Sequence, residues 1–240
     1  METELIYLKD SYVEETGALV TESNTEEKWI ALNKTIFYAE SGGQPSDKGT
    51  IEFNGIKSKV IEVKKRDGKI LHFLDGEIPD KGTEIKLILD WSLRYKFMKM
   101  HSAQHLLSAL ILDKYGASTV GNQIGYEKSR MDFHPIKFDE LMLKEMQEKF
   151  NELVEKELPI TISFKDRETV LDEVDEKRRI LFSRLPETIK EIRVIEIAGI
   201  DKCPCGGTHV KNTKEIGKIK ITERKNKGKD RDRIGFELTD

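Results

Sequence analysis

The stretch DWSLRYKFMKMHSAQHLLSALILDKYG, residues 90–116, decides how the rest of the chain is read. Asp90 and Ser92 each offer a side-chain oxygen that can cap a helix, and apolar residues then recur at helical spacing for about six turns. Gly116 is suited to end the run, because glycine takes the left-handed backbone of a helix C-terminus without steric cost. Nothing upstream sustains such a period, so Asp90 marks a change of architecture. Inside the helix, HSAQHLLSAL (residues 101–110) is apolar enough to be buried, yet it carries His101 and His105. Residues four apart on a helix share a face, about 6 Å apart along the axis, so both imidazoles can address one atom.

Upstream, residues 1–90 are punctuated by turn-forming clusters: EETG, ESNTEE, SGGQPSDKG, FNG, KKRDG and LDGEIPDKG. Between them lie short runs rich in β-branched and aromatic residues: LIYL, KWIALN, TIFYA, GTIEF, KVIEV, KILHF and EIKLILD. That is a strand pattern, and it predicts a compact all-β module closed into a small barrel. Downstream, two strands (TVGNQIGYE and SRMDFH) precede a helix, FDELMLKEMQEKFNELVEKEL, which Pro159 stops. A strand (ITISFKD), a charged helical stretch (ETVLDEVDEKRRILFSRL), a strand (IRVIEI) and a loop holding the cysteines follow. The end reads as a hairpin, GKIKITERKNKGKDRDRIGFEL, turning at Lys227-Gly228. Helices and antiparallel strands mix without strict alternation, so the fold class is α+β. The expected domains are residues 1–90, a β-barrel module, and residues 91–240, an α+β unit.

Hydrophobic residues make up 37% of the 240 and charged residues 35%, the profile of a soluble globular protein. No apolar run approaches the roughly 18 residues of a membrane span. The first ten residues, METELIYLKD, carry neither a basic leader nor an apolar segment, so the expected location is the cytoplasm. Cys203 and Cys205 are too few for a disulfide framework and poorly spaced to bridge each other. They read as metal ligands or as incidental thiols.

The segment CPCGGTHV, residues 203–210, contains Cys205-Gly-Gly-Thr-His209, a second pair with three residues between. Its glycines let the backbone curl, so that thiolate and imidazole can converge. His101, His105, Cys205 and His209 form an N₃S set whose softness favours zinc over magnesium or calcium. Spacing alone leaves Cys203 as a rival thiol. No carboxylate accompanies the histidines as in HExxH, which disfavours a metalloprotease.

HSAQH followed about a hundred residues later by CGGTH resembles the HxxxH…CxxxH signature of alanyl- and threonyl-tRNA synthetase editing domains. IRVIEIAGIDKCPCGGTHVKNTKEIGKIKI resembles the second part of that domain, and FYAESGGQPSDKGTI a glycine-rich segment of the alanyl version. The chain is thereby identified as resembling the free-standing alanyl-tRNA editing proteins, the AlaX family, in their medium form. The resemblance implies a barrel followed by a two-layer editing domain of the threonyl/alanyl-tRNA synthetase type. It implies one zinc per chain on His101, His105, Cys205 and His209, with Cys203 a neighbour. It also implies hydrolysis of serine, and of glycine, from tRNA(Ala). Four protein ligands at once are the composition of a closed structural site, so the catalytic or structural role of the ion stays open.

Gln104 lies beside His105 and is a candidate pocket residue, or else a surface polar. Gly42, Gly43 and Gln44 present backbone amides either to the site or tRNA, or form a plain barrel turn; the resemblance favours the first. By the same resemblance Asn122 is the reader of the serine hydroxyl, with Gln123 and Thr119 as alternates. The net charge of −3 is a poor global footprint for a nucleic-acid binder. Residues 211–233, however, carry a net +6, so Lys218, Lys220, Arg224, Lys225, Lys227 and Lys229 are candidates for tRNA phosphates. The competing readings are a non-catalytic zinc-stabilised tRNA-binding module and an editor of mischarged tRNA(Thr), against which the alanyl-type segment speaks.

Overall fold

The structure, a computed structural model, describes residues 2–183 and 185–239. Its contacts divide the chain into two compact units, Met1–Phe97 and Met98–Asp240. In the first unit the strands are β1 (Glu4–Leu5), β2 (Glu15–Asn24), β3 (Trp29–Leu32), β4 (Lys34–Thr35), β5 (Gly49–Phe53), β6 (Ile56–Arg66), β7 (Lys69–Asp75) and β8 (Glu84–Leu89). Six of them close a barrel in the order β2-β3-β7-β6-β5-β8, all pairs antiparallel. Strand alternation fills it: Ala18 and Val20 from β2, and Ile85, Leu87 and Leu89 from β8, are all buried.

Two expected strands in this unit are not strands. Within LIYL, Ile6–Leu8 form a 3₁₀ turn. In TIFYA only Thr35 pairs, with β1, while Ile36 to Ala39 run irregularly through the core. Side chains satisfy that backbone: Phe37 N donates to Thr35 Oγ1 at 3.0 Å and Tyr38 N to Asp47 Oδ2 at 2.6 Å. Asp47 in turn accepts from Arg94 Nε at 3.0 Å, and Arg94, fully buried, also donates to Ser11 O and Ile36 O.

Helix α1 spans Trp91–Tyr115. Asp90 caps it, its Oδ1 accepting from Leu93 N at 3.1 Å, and Gly116 at φ +68° ends it. The second unit continues with β9 (Ser118–Gln123), β10 (Lys128–His134), α2 (Glu140–Val154), β11 (Ile160–Asp166), α3 (Arg167–Glu173), α4 (Glu176–Ser183), β12 (Glu191–Ile197), β13 (Asp201–Pro204), β14 (Lys218–Asn226) and β15 (Asp232–Thr239). They form a four-stranded sheet ordered β14-β15-β10-β9 and a three-stranded sheet ordered β11-β12-β13. The edge of β14 is covered by α2: Gln147 Oε1 accepts from Ile221 N, and Asn151 Oδ1 from Ile219 N. Among the described residues no helix is long and apolar enough to cross a membrane.

Three expectations are corrected here. Helix α2 stops at Val154 and not at Pro159, because Thr213 Oγ1 donates to Leu153 O and accepts from Leu158 N. The charged stretch is two helices, since Val174 is extended and Asp175 caps the next helix by accepting from Arg178 N at 2.9 Å; its Arg184 lies outside the described residues. Cys203 sits on strand β13 and not in a loop; Cys205 follows just after it.

Candidate metal centre

Helix α1 places His101 and His105 on one buried face, with ring centroids 5.0 Å apart. The chain returns after β13 and brings His209 to 4.5 Å from His101 and 4.6 Å from His105, centroid to centroid. Cys205 Sγ lies 3.6 Å from His101 Nε2 and 3.4 Å from His209 Nε2. One donor atom from each of His101, His105, Cys205 and His209 falls within 4.8 Å of all the others. Bonds of about 2.0 Å to nitrogen and about 2.3 Å to sulfur give tetrahedral edges of about 3.3–3.6 Å. The donor set therefore fits a metal ion in both chemistry and spacing.

The supports around these donors are local. Ser102 Oγ sits 3.1 Å from His209 Nδ1 and accepts from Val210 N at 3.2 Å, which turns the Nε2 of His209 toward the cluster. Gly207 N donates to Cys205 Sγ at 3.3 Å. The turn through Gly206 and Gly207 brings Cys205 and His209 together as expected, and does so without a left-handed backbone at either glycine. The sequence pattern does not single out Ser102, although a serine within a buried helical run is itself a signal.

Cys203 meets His105 from the other side, its Sγ 3.1 Å from Nδ1, and a second group of His105, Asp201 and Cys203 shares that ring. Electrostatics separates the thiols. Burial, followed by the Asp201 carboxylate, pushes Cys203 up to about 12. Burial also opposes a Cys205 thiolate, yet the imidazoles of His101, His105 and His209 draw its thiol well below the ordinary range. Burial holds His209 well below the usual imidazole range, in the neutral form that ligates metals. Burial opposes a charged His105, but Cys203, Cys205 and Asp201 together hold it well above that range.

The remaining sequence candidates separate by place. Gln104 is buried on α1, one position before His105. Ser108, three residues beyond His105, ties β9 to α1 by a 2.5 Å bond to Thr119 Oγ1. Asn122 stands opposite fully buried Met131, so it shares the sheet's inner face; Gln123 stands opposite exposed Arg130 on the outer face. Gly42, Gly43 and Gln44 belong to the barrel unit. There Gly42 at φ +57° and Gly43 at φ +84° are the central residues of a two-residue turn closed between Ser41 and Gln44, and Gln44 is buried. Lys218, Lys220, Arg224 and Lys225 all lie on β14. Lys218 is 3.8 Å from Glu155, and Arg224 binds buried Asp232 at 2.9 Å. Lys220 and Lys225 are exposed on that strand. Lys227 and Lys229 are exposed in the hairpin loop.

Comparison with known proteins covers both units. Residues 8–93 match the tRNA synthetases class II (A) family, and residues 192–234, which include Cys205 and His209, match the threonyl and alanyl tRNA synthetase second additional domain. The alanyl-tRNA editing protein AlaX-M of Methanosarcina barkeri is 38% identical over 99% of this chain and 100% of its own length. AlaX-L of Pyrococcus horikoshii is 35% identical over 97% of this chain and 57% of its own. An alanine–tRNA ligase of Thermoplasma acidophilum is 36% identical over 92% of this chain but only 25% of its own. A similarity that spans the AlaX-M proteins from end to end, yet only a fraction of the ligases, leaves one assignment: the chain belongs to the alanyl-tRNA editing protein (AlaX) family.

Proposed function

We propose that this protein hydrolyses the ester that joins a wrong amino acid, serine and also glycine, to tRNA(Ala), around a zinc ion held by His101, His105, Cys205 and His209. The carrying observation is the four-donor cluster, its three histidines buried and Cys205 partly so, in a chain similar to an alanyl-tRNA editing protein over nearly its full length. When bound, zinc supplies a Lewis acid that polarises an ester carbonyl or lowers the pKa of a water. The N₃S donor set supports zinc over harder ions.

The chain's own residues do the rest in this reading. Ser102 fixes the His209 ring, and the buried walls of α1 keep bulk water from the ester. Alanine is smaller than serine, so size cannot exclude it, and the site must reward the hydroxyl. Asn122, on the inner face of β9, is the proposed reader: with alanine bound its polar group is left unpaired, a penalty of about 1–3 kcal/mol. Gln104 lines the same helix face. Lys220 and Lys225, with Lys218, Lys227 and Lys229, are the proposed phosphate contacts, and Gly42, Gly43 and Gln44 the proposed contacts to the tRNA end.

The test is deacylation of Ser-tRNA(Ala), Gly-tRNA(Ala) and Ala-tRNA(Ala), with and without chelator. Serine should be released far faster than alanine, and chelation followed by dialysis should abolish the activity until zinc is restored. Tight tRNA binding with no turnover would replace this reading by that of a binding module.

A further inference from the structure

The groups behind His105 form a network that the donor set does not account for. His105 Nδ1 faces Cys203 Sγ at 3.1 Å and Asp201 Oδ2 at 3.8 Å. Asp201 opens β13, opposite Ile197 of β12, and is buried. Its other oxygen accepts from Arg178 Nε at 3.0 Å. Arg178, from α4, is buried too, and every arm of its fork is engaged. Nη1 reaches Asp113 Oδ1 at 3.0 Å and Asp175 Oδ2 at 2.7 Å, while Nη2 reaches Asp113 Oδ2 at 3.2 Å and Ile200 O at 2.6 Å. Asp113 lies on α1, the helix that carries His105, so one guanidinium ties that helix to the strand bearing Asp201 and Cys203.

Stability alone does not account for such an arrangement. Desolvating a guanidinium and a carboxylate carries a large penalty, and apolar residues of similar volume commonly do as well or better. A metal-ligating imidazole, by contrast, needs this kind of partner. A histidine that offers Nε2 to a metal carries its proton on Nδ1, and an acceptor there fixes both the tautomer and the ring plane.

We propose that Cys203, in hydrogen-bond reach of His105 Nδ1, and the Asp201 carboxylate behind it at 3.8 Å, anchored by Arg178, together position His105, and that Cys203 is not itself a ligand. The proposal rests on the reading of His101, His105, Cys205 and His209 as the metal site. It assigns a role to the second thiol, to the helix α4 arginine and to Asp113, none of which is among the four donors.

The experiment uses the full chain, stripped of metal and titrated with zinc against a chromophoric chelator, then with cobalt(II), whose charge-transfer absorption scales with the number of bound thiolates. Wild type should show one thiolate; Cys203→Ser should keep that band and Cys205→Ser should lose it. Asp201→Asn should weaken zinc binding about 10- to 100-fold and alter the cobalt ligand-field spectrum. Arg178→Lys, which keeps the charge and loses the fork, should do the same more mildly and serves if Asp201→Asn does not fold. A merely structural role would lower the unfolding temperature of the metal-free variants and leave affinity and spectrum unchanged. That outcome overturns the proposal, as does loss of the band in Cys203→Ser. A wild type that binds neither metal overturns the metal reading beneath it, whatever the variants do.

Discussion

Asn122 and Gln123 differ by one position and point to opposite faces of β9, so a single residue of register decides which of them can act. The strand carries a bulge: Thr119 pairs with Phe133 and Gly121 with Asp132, which leaves Val120 unpaired and shifts the alternation. Thr119 and Asn122 thereby come to share the inner face, although plain alternation would separate them. Asn122→Ala should erase the preference for serine over alanine, a change of about 5- to 150-fold in the ratio of deacylation rates. Gln123→Ala should leave that ratio within about twofold. Rates on Ser-tRNA(Ala) and Ala-tRNA(Ala), measured with zinc content unchanged, check both. The polar candidates are legible in the sequence, but their order is not: Gly121 hints at a bulge without fixing which residue is left unpaired. Cys203 and Cys205 pose the same difficulty: spacing brings both near the histidines, and only the surroundings of each sulfur separate them.

The hairpin of β14 and β15 shows how an element redistributes charge that a sequence window merely counts. Arg224 is engaged by Asp232, which is fully buried and also receives Lys137 at 3.3 Å and Phe138 N at 2.9 Å. Arg231 and Arg233 converge on Asp132. Lys128 leans across Gly235 to reach Glu223 at 2.7 Å, over the space a Cβ would occupy. What remains for a polyanion is lysine. Replacing Lys220 and Lys225 by alanine should flatten the salt dependence of tRNA binding by about one unit of log–log slope for each phosphate left without its lysine, as read by filter binding over a salt series. Arg224→Ala should leave that slope nearly unchanged and instead lower folding stability by about 1–3 kcal/mol in urea titration, since it strips a buried carboxylate of a partner. Elements with long periods, such as α1 and this hairpin, are visible in the sequence. Those that depart from its pattern are short or end early, at Ile6–Leu8, Val154 and Val174; at Val154 a partner distant in sequence, Thr213, sets the boundary, and at Val174 a local cap by Asp175 does.

At the scale of the whole molecule strands give way to helix at Asp90, while the compact units divide at Phe97/Met98. The first turns of α1 thus belong with the barrel, and Arg94 gives the reason, being buried against Asp47, Ser11 and Ile36. We expect residues 1–97 to fold as a barrel and residues 1–90 to be less stable by about 3–5 kcal/mol, because the shorter chain leaves Asp47 buried without its cation. Urea unfolding of the two fragments, followed by circular dichroism, measures the difference. In the second unit, Cys205 Sγ meets an imidazole from a residue 104 positions earlier in the chain. On a ribosome adding about 5–20 residues per second, the histidine pair waits about 5 to 20 s before its thiolate exists. A metal met during that interval finds only half of the proposed donors and should exchange freely. On that reading, firm retention can begin only once the chain has been extended through His209, so a chain terminated before that residue would release its ion.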